Sequence, residues 1–360
     1  MSRILILANS SAGFYDFRIE LARAMMAEGH KVMISLPDTV KTGQIAGEGV
    51  EVIHTSINRR GMNPVQDAAL LQSYRKLMRE KKPDLVLTYT IKPNVYGGLA
   101  AASLKIPSVA SVTGLGSAFQ QPGLRRTLVT LLYRAGLRKA RCVFFQNAEN
   151  MGIFDSFGIK GESSRLVPGS GVDLNTHGAE PYPEDGQVRF LFVGRMMKEK
   201  GIEEYLAAAA QLHSDRVVFQ TVGYCDEDYQ AQLDAAEARG EIVQLGFQTE
   251  MHSFYTQCSA AVMPTYHEGM SNVLMEASST ARPVIASRIS GCREIVDEGS
   301  TGFLFEPRNA GSLIEALEKF IALSVPERAS MGRNARSKME REFDRRTVTA
   351  AYMEEIHGII

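Results

Sequence analysis

The chain has 360 residues, enough for two domains of ordinary size, and 44% of them are hydrophobic, so each half can bury a core. The formal net charge is −1, and nothing global argues for a nucleic-acid partner. The opening apolar run, Ile4 to Ala8, is too short for a leader or an anchor, and Cys142, Cys225, Cys258 and Cys292 form no CxxC pair. The expectation is a cytoplasmic protein with reduced thiols and no disulfide or zinc site.

Taken in order, the pattern is strand, loop, helix, repeated. Arg3–Ala8 reads as a strand, and Asn9 to Tyr15 as a small polar loop. Asp16–Glu28 reads as a helix with Phe17, Leu21, Ala24 and Met25 on one side, closed by Gly29, and Asp16 sits where an N-cap would. Strands are predicted at Lys31–Leu36, Glu51–Ile53, Asp84–Thr88, Ser108–Val112 and Cys142–Gln146. After the strand Asp84–Thr88, Asn94 is expected to cap a helix, and Lys92 is a candidate contact for an acceptor phosphate. The stretch Leu124–Phe145 sets Arg125, Arg126, Arg134, Arg138, Lys139 and Arg141 among leucines. It suits either a core helix with a solvated basic face or a helix (124–141) lying on an anionic membrane surface.

Two prolines and several acids between Gly178 and Gly186 read as a linker. Strands resume at Val188–Gly194, Val217–Val222, Ile242–Leu245, Ala260–Met263, Pro283–Ala286 and Gly302–Phe305. Helices close the chain at Ser312–Ser324, Pro326–Phe343 and Arg346–Ile360. The expected fold class is α/β, with two Rossmann-like doubly wound domains facing across a cleft. Their expected bounds are 1–175 and 186–345, with the terminal helix 346–360 packing back on the first domain.

Two stretches carry the chemistry. In 264–277, strand Ala260–Met263 ends in a loop and a helix begins near Ser271. Gly269 lets the backbone approach a ligand, and the amides of Met270, Ser271 and Asn272 would face an anion at the helix start. Glu268 and Glu276 flank that position. In 193–201, Arg195 and Lys200 follow the first strand of the second domain, a guanidinium and an ammonium suited to a diphosphate leaving group. Asp226-Glu227-Asp228 matches the DxD string of metal-dependent transferases, but it opens a helix, where acids stabilise the dipole. Glu294 is read as capping a further helix. No histidine pair has metal-ligand spacing, so no metal is expected.

Together these motifs resemble the retaining GT-B glycosyltransferases of family four, over essentially the whole chain. Tyr89 to Asn94, Thr113-Gly114-Leu115-Gly116 and Pro264–Ala277 are similar to the bacterial capsule, O-antigen and N-glycan assembly subgroup. The resemblance implies a UDP-sugar donor, a glycan acceptor on undecaprenyl diphosphate, and a retaining, metal-independent transfer of a hexose or N-acetylhexosamine by an enzyme peripheral on the membrane. It implies that Arg195 and Lys200 hold the diphosphate, Glu276 the ribose and Glu268 the transferred sugar, with backbone near Gly246 and Phe247 receiving the base. Where many members carry His-Gly, this chain has Thr113-Gly114, so Thr113 is at most a positioning residue. The first loop lacks the family's frequent Gly-Gly, leaving Gly13 to approach the donor and Asp16 as an acceptor-side candidate. The rival readings are a GT-B enzyme with a soluble acceptor or sugar-nucleotide chemistry, and a non-catalytic partner subunit.

Overall fold

The computed structural model describes residues 1–58, 61, 63–115, 119 and 123–360. The chain divides into two units, one of Met1–Ser170 with Arg346–Ile360, the other of Gly171–Arg345.

In unit 1 the strands are β1 (Arg3–Leu7), β2 (Lys31–Leu36), β3 (Glu51–His54), β4 (Leu85–Tyr89), β5 (Ser108–Val112), β6 (Cys142–Phe145) and β7 (Ser163–Leu166). They form one sheet in the order β3-β2-β1-β4-β5-β6-β7, and every neighbouring pair is parallel. Strands β4, β5 and β6 are buried at every residue because both faces of the sheet are covered. The covering helices are α1 (Ser11–Ala27), α2 (Thr42–Gly47), α3 (Pro64–Lys81), α4 (Gly98–Ser103), α5 (Leu124–Leu137) and α6 (Ala148–Ser156). The sequence pattern misses β7, a four-residue edge strand whose polar residues carry no apolar signal.

Helix α1 starts five residues before the expected position. Ser10 caps it, accepting from the Gly13 amide at 3.2 Å, so Asp16 lies inside the helix rather than at its cap. Asn94 caps nothing either. It is fully buried, accepts from the Thr88 hydroxyl at 2.8 Å and donates to the Ser111 carbonyl at 2.9 Å, tying β4 to β5.

Unit 2 contains β8 (Val188–Val193), α7 (Ile202–Leu212), β9 (Val217–Val222), α8 (Gln230–Ala238), β10 (Val243–Gln244), α9 (His252–Gln257), β11 (Ala260–Met263), α10 (Asn272–Ser279), β12 (Val284–Ser287), β13 (Gly302–Phe305), α11 (Ala310–Ala322) and α12 (Val325–Glu342). Its parallel sheet runs β10-β9-β8-β11-β12-β13. Helix α13 (Arg345–His357) then rejoins unit 1, where Tyr352 stacks on Phe144 with centroids 4.0 Å apart and donates to the Ser111 hydroxyl at 2.8 Å.

Residues 178–186, expected as a linker, lie within unit 2. The fully buried Arg282 donates to the carbonyls of Glu180 and Pro181, and also to those of Tyr255, Thr256, Thr280 and Ala281, at 2.6–3.1 Å. One guanidinium, with five N–H donors in a fixed plane, thereby fixes this stretch of chain to α9 and the end of α10.

Candidate active site

The strand order of unit 2 reverses between β8 and β11, and open parallel sheets bind ligands beyond the carboxyl ends at such a point. The loop after β8 carries Arg195 and Lys200; the loop after β11 carries Glu268. Two strands adjacent in the sheet bring together residues 68 apart in sequence, and the Lys200 ammonium donates to Glu268 Oε1. Their side chains are 22% and 16% exposed, so the pair is mostly shielded from water.

The two loops are bonded as well as adjacent. The Tyr266 amide donates to the Glu199 carbonyl at 2.9 Å, and the Thr265 hydroxyl to the same oxygen at 3.3 Å. Behind them the Tyr266 phenol donates to the buried Glu204 at 2.7 Å. Gly201, with φ of 76°, stands where a Cβ would lie 2.0 Å from the Pro264 carbonyl oxygen, so only glycine permits this approach.

Arg195 is held by a third loop. Its Nη1 donates to Asp226 Oδ2 at 2.5 Å, and the Lys198 amide donates to Glu227 at 2.9 Å. The strand neighbours β8 and β9 continue past their ends, where the Met196 amide donates to the Tyr224 carbonyl at 2.9 Å. The DxD-like acids thus engage the basic loop. Asp226 is a contributor that the sequence reading did not assign to Arg195, although its place just beyond β9, next to β8, is a topological clue.

At the start of α10, Ser271 is the N-cap, its hydroxyl accepting from the Leu274 amide at 3.4 Å. Of the three amides expected to face an anion, that of Ser271 donates to the Gly291 carbonyl at 2.9 Å instead. Glu294 does not open a helix. Its carboxylate accepts from the Gly291 amide at 2.7 Å and the Ser290 hydroxyl at 2.8 Å, closing a turn. That turn presses on the site: Gly291 has φ of 88°, and a Cβ there would lie 2.8–2.9 Å from Gly269 O, Glu268 O and Glu268 Cβ.

One turn and a half up α10, Glu276 accepts from the Tyr255 phenol at 2.8 Å. Tyr255 is wholly buried, and burial raises its pKa well above the ordinary phenol, so it stays a donor. Tyr255 packs in turn near His177, whose imidazole burial pushes down to about 4. Gly246 accepts at its carbonyl from the Gly223 amide at 2.9 Å, and Phe247 stands beside Tyr224 with centroids 5.9 Å apart. Both rings are half or more exposed, an aromatic pair at the same carboxyl edge, of which the sequence pattern marks only Phe247.

The unit 1 candidates are placed as follows. Gly13 lies in the first turn of α1, its amide engaged by Ser10. Asp16 pairs with Lys41. Thr113 follows β5 directly, and the Gly116 of its motif lies outside the described residues. Lys92 does not present a free ammonium: it donates to Asp67 at 2.8 Å, and the two side chains are 14% and 10% exposed.

Two parallel doubly wound units in one chain define the GT-B class. Residues 3–147 match the family model described as Glycosyl transferase 4-like, and residues 178–338 that of Glycosyl transferases group 1. The chain belongs to these glycosyltransferases. It is similar, at 24% identity over 99% of both chains, to a Campylobacter jejuni N,N'-diacetylbacillosaminyl-diphospho-undecaprenol alpha-1,3-N-acetylgalactosaminyltransferase. It is 26% identical, over 79% of this chain and 78% of the relative, to an Escherichia coli UDP-Gal:alpha-D-GlcNAc-diphosphoundecaprenol alpha-1,3-galactosyltransferase. Among solved structures, the Anabaena protein HepE in complex with UDP and glucose superimposes with a TM-score of 0.83 at 20% identity, covering 99% of this chain and all of that one.

Proposed function

We propose that the chain transfers a hexose or N-acetylhexosamine from a UDP-sugar to a glycan carried on undecaprenyl diphosphate, with retention at the anomeric carbon and without a metal. The observation that carries this reading is the pairing of Lys200 with Glu268 at the switch point of unit 2, with Arg195 on the same loop as Lys200 and held by Asp226. The names of the Campylobacter and Escherichia relatives, both acting on diphospho-undecaprenol-linked sugars, support the acceptor class.

In this reading the donor diphosphate takes Lys200 from Glu268 and Arg195 from Asp226. Glu276, held by Tyr255, receives the ribose hydroxyls, and Tyr224 and Phe247 flank the base. Glu268, released, accepts from hydroxyls of the transferred sugar. The bond from the anomeric carbon to the β-phosphate oxygen breaks with its electron pair on that oxygen. The acceptor hydroxyl adds to the same face, and its proton passes to the departing oxygen. Two cations fixed beside that oxygen stabilise the developing charge in place, the largest catalytic contribution such a site offers.

A thermal-shift screen against nucleotides and UDP-sugars tests the donor, since a ligand that binds only the folded state raises its melting temperature. UDP and one UDP-sugar should stabilise, and turnover should survive a chelator. A chain indifferent to every uridine nucleotide does not bind the proposed donor.

Contact with the membrane surface belongs to the same proposal. Helix α5 exposes Leu124, Leu128 and Leu131 at helical spacing on one face, and the exposed residues Arg125, Arg134, Arg138 and Lys139 share the helix or its end with no acid among them. Apolar side chains ringed by cations suit an anionic headgroup layer. Among the described residues no helix is long and apolar enough to cross a membrane. Sedimentation with anionic liposomes should fall when Arg125, Arg126 and Arg134 become glutamate; unchanged sedimentation defeats this contact.

A further inference from the structure

Unit 1 contains a cavity of about 330 Å³ that the donor chemistry does not use. Its walls come from the residues after β3 (Ser56, Ile57, Asn58), from the first turns of α3 (Gln66, Asp67, Leu70), and from Lys92 after β4. These are carboxyl ends of parallel strands, the edge at which such sheets bind ligands. The volume falls at the small end of ligand pockets.

What lines the cavity limits what it can hold. Asp67 is 7% exposed and accepts from the Lys92 ammonium at 2.8 Å. Burial, and then the nearby Asp67 carboxylate, raise the Tyr96 pKa above the ordinary phenol. A buried ion pair adds little stability compared with well-packed apolar residues, so stability does not explain its position at an open cavity. It does supply a fixed acceptor beside a fixed donor. The rim adds the amides of Asn58 and Gln66, bonded to each other at 2.9 Å, and Leu70 and Ile57 add an apolar wall. The pair is neutral as a unit. An anion entering the cavity would meet Asp67 and would have to take Lys92 from it with no second cation among the described lining residues, whereas the loop after β8 supplies both Lys200 and Arg195.

We propose that this cavity binds one uncharged saccharide ring. Its hydroxyls bond across the Asp67–Lys92 pair, and its C–H face lies on Leu70 and Ile57. If the chain is the transferase proposed above, this ring is a unit of the acceptor glycan; the binding itself does not depend on that reading.

The test uses the full chain and two probes, methyl N-acetylglucosaminide and inorganic phosphate, followed by saturation-transfer NMR, with UDP titration as the control on unit 2. The neutral glycoside should bind the wild type and phosphate should not. Ala69→Trp, on the exposed side of α3 where it fills the cavity, should weaken glycoside binding at least about tenfold, with UDP binding unchanged. Asp67→Asn leaves Lys92 charged and uncompensated, and should confer phosphate binding that the wild type lacks. Glycoside binding that ignores Ala69→Trp, an absence of glycoside binding up to about 10 mM, or phosphate binding to the wild type overturns the assignment. Failure of UDP to bind the wild type would instead remove the donor proposal and leave the glycoside result standing on its own.

Discussion

Replacing Glu268 by Gln removes a negative charge from beside Lys200 while keeping the size of the side chain. Unit charges about 3 Å apart attract by about 5 kcal/mol at an effective dielectric of about 20. Both side chains are about four-fifths buried, so little of that attraction is screened away. Desolvation and lost rotamer freedom offset most of it, leaving a net of about 1–2 kcal/mol for a pair in such a setting. A diphosphate that takes Lys200 must give up that net attraction and settle near a carboxylate that repels it. Glu268→Gln should therefore tighten UDP about five- to twenty-five-fold, at 1.4 kcal/mol per decade. The gain should shrink as salt rises. UDP is the correct probe because it lacks the sugar that Glu268 would contact. Isothermal titration measures the change directly, and turnover with the UDP-sugar should fall in the same variant. UDP affinity unchanged or weakened in Glu268→Gln would show that Lys200 is not the group for which carboxylate and diphosphate compete.

Lys200→Met should lower kcat by about 10²–10³, the cost of removing one preorganised group from a developing oxyanion; kinetics equal to wild type would remove it from the mechanism. Tyr255→Phe deletes only the hydroxyl bonded to Glu276, and should weaken UDP by about 1.5 kcal/mol, a hydrogen bond to a charged group; a lower melting point with unaltered UDP affinity would make Tyr255 structural alone. His177, depressed to about 4 by burial, stays neutral in the folded chain while the unfolded chain protonates near 6.5. Between those values the unfolded state holds more protons, so stability is complete above about pH 6.5 and falls as pH drops toward 4; in His177→Gln, denaturation followed across this window should lose part of that slope.

Much of this architecture can be read from the sequence because its strands are buried on both faces. Strands β5, β9, β11 and β13 occur at the expected residues, since short apolar runs bounded by turn residues have few alternatives in a parallel sheet. The start of α1 was displaced because small polar residues at 9–13 resemble a loop, while Ser10 in fact caps a helix through the Gly13 amide. Edge strand β7 has no apolar signal to read. The Asn63-Pro64 pair that opens α3, a cap followed by proline in the first turn, is a helix-start signal that the strand-by-strand reading passes over.

The site divides along a different line. Glu268, Glu276, Arg195 and Lys200 are legible as candidates because each lies in a compact local motif, a strand end followed by a loop and a helix start. Their partners are not, because Asp226 lies 31 residues from Arg195 and Tyr255 lies 21 from Glu276. Spacing along the chain does not encode such pairs; strand order does. Once β9, β8 and β11 are neighbours, the three loops beyond their carboxyl ends must meet. Charged residues two to seven positions past these strands then meet as the pairs Arg195–Asp226 and Lys200–Glu268. Gly201 and Gly291 are the points at which the site closes, because a Cβ at either would push into Pro264 or Glu268. The geometry of the candidate site therefore depends on backbone approach as much as on the charged side chains, and Gly201, which closes the 193–201 motif, and Gly291, outside both motifs, belong to the same site.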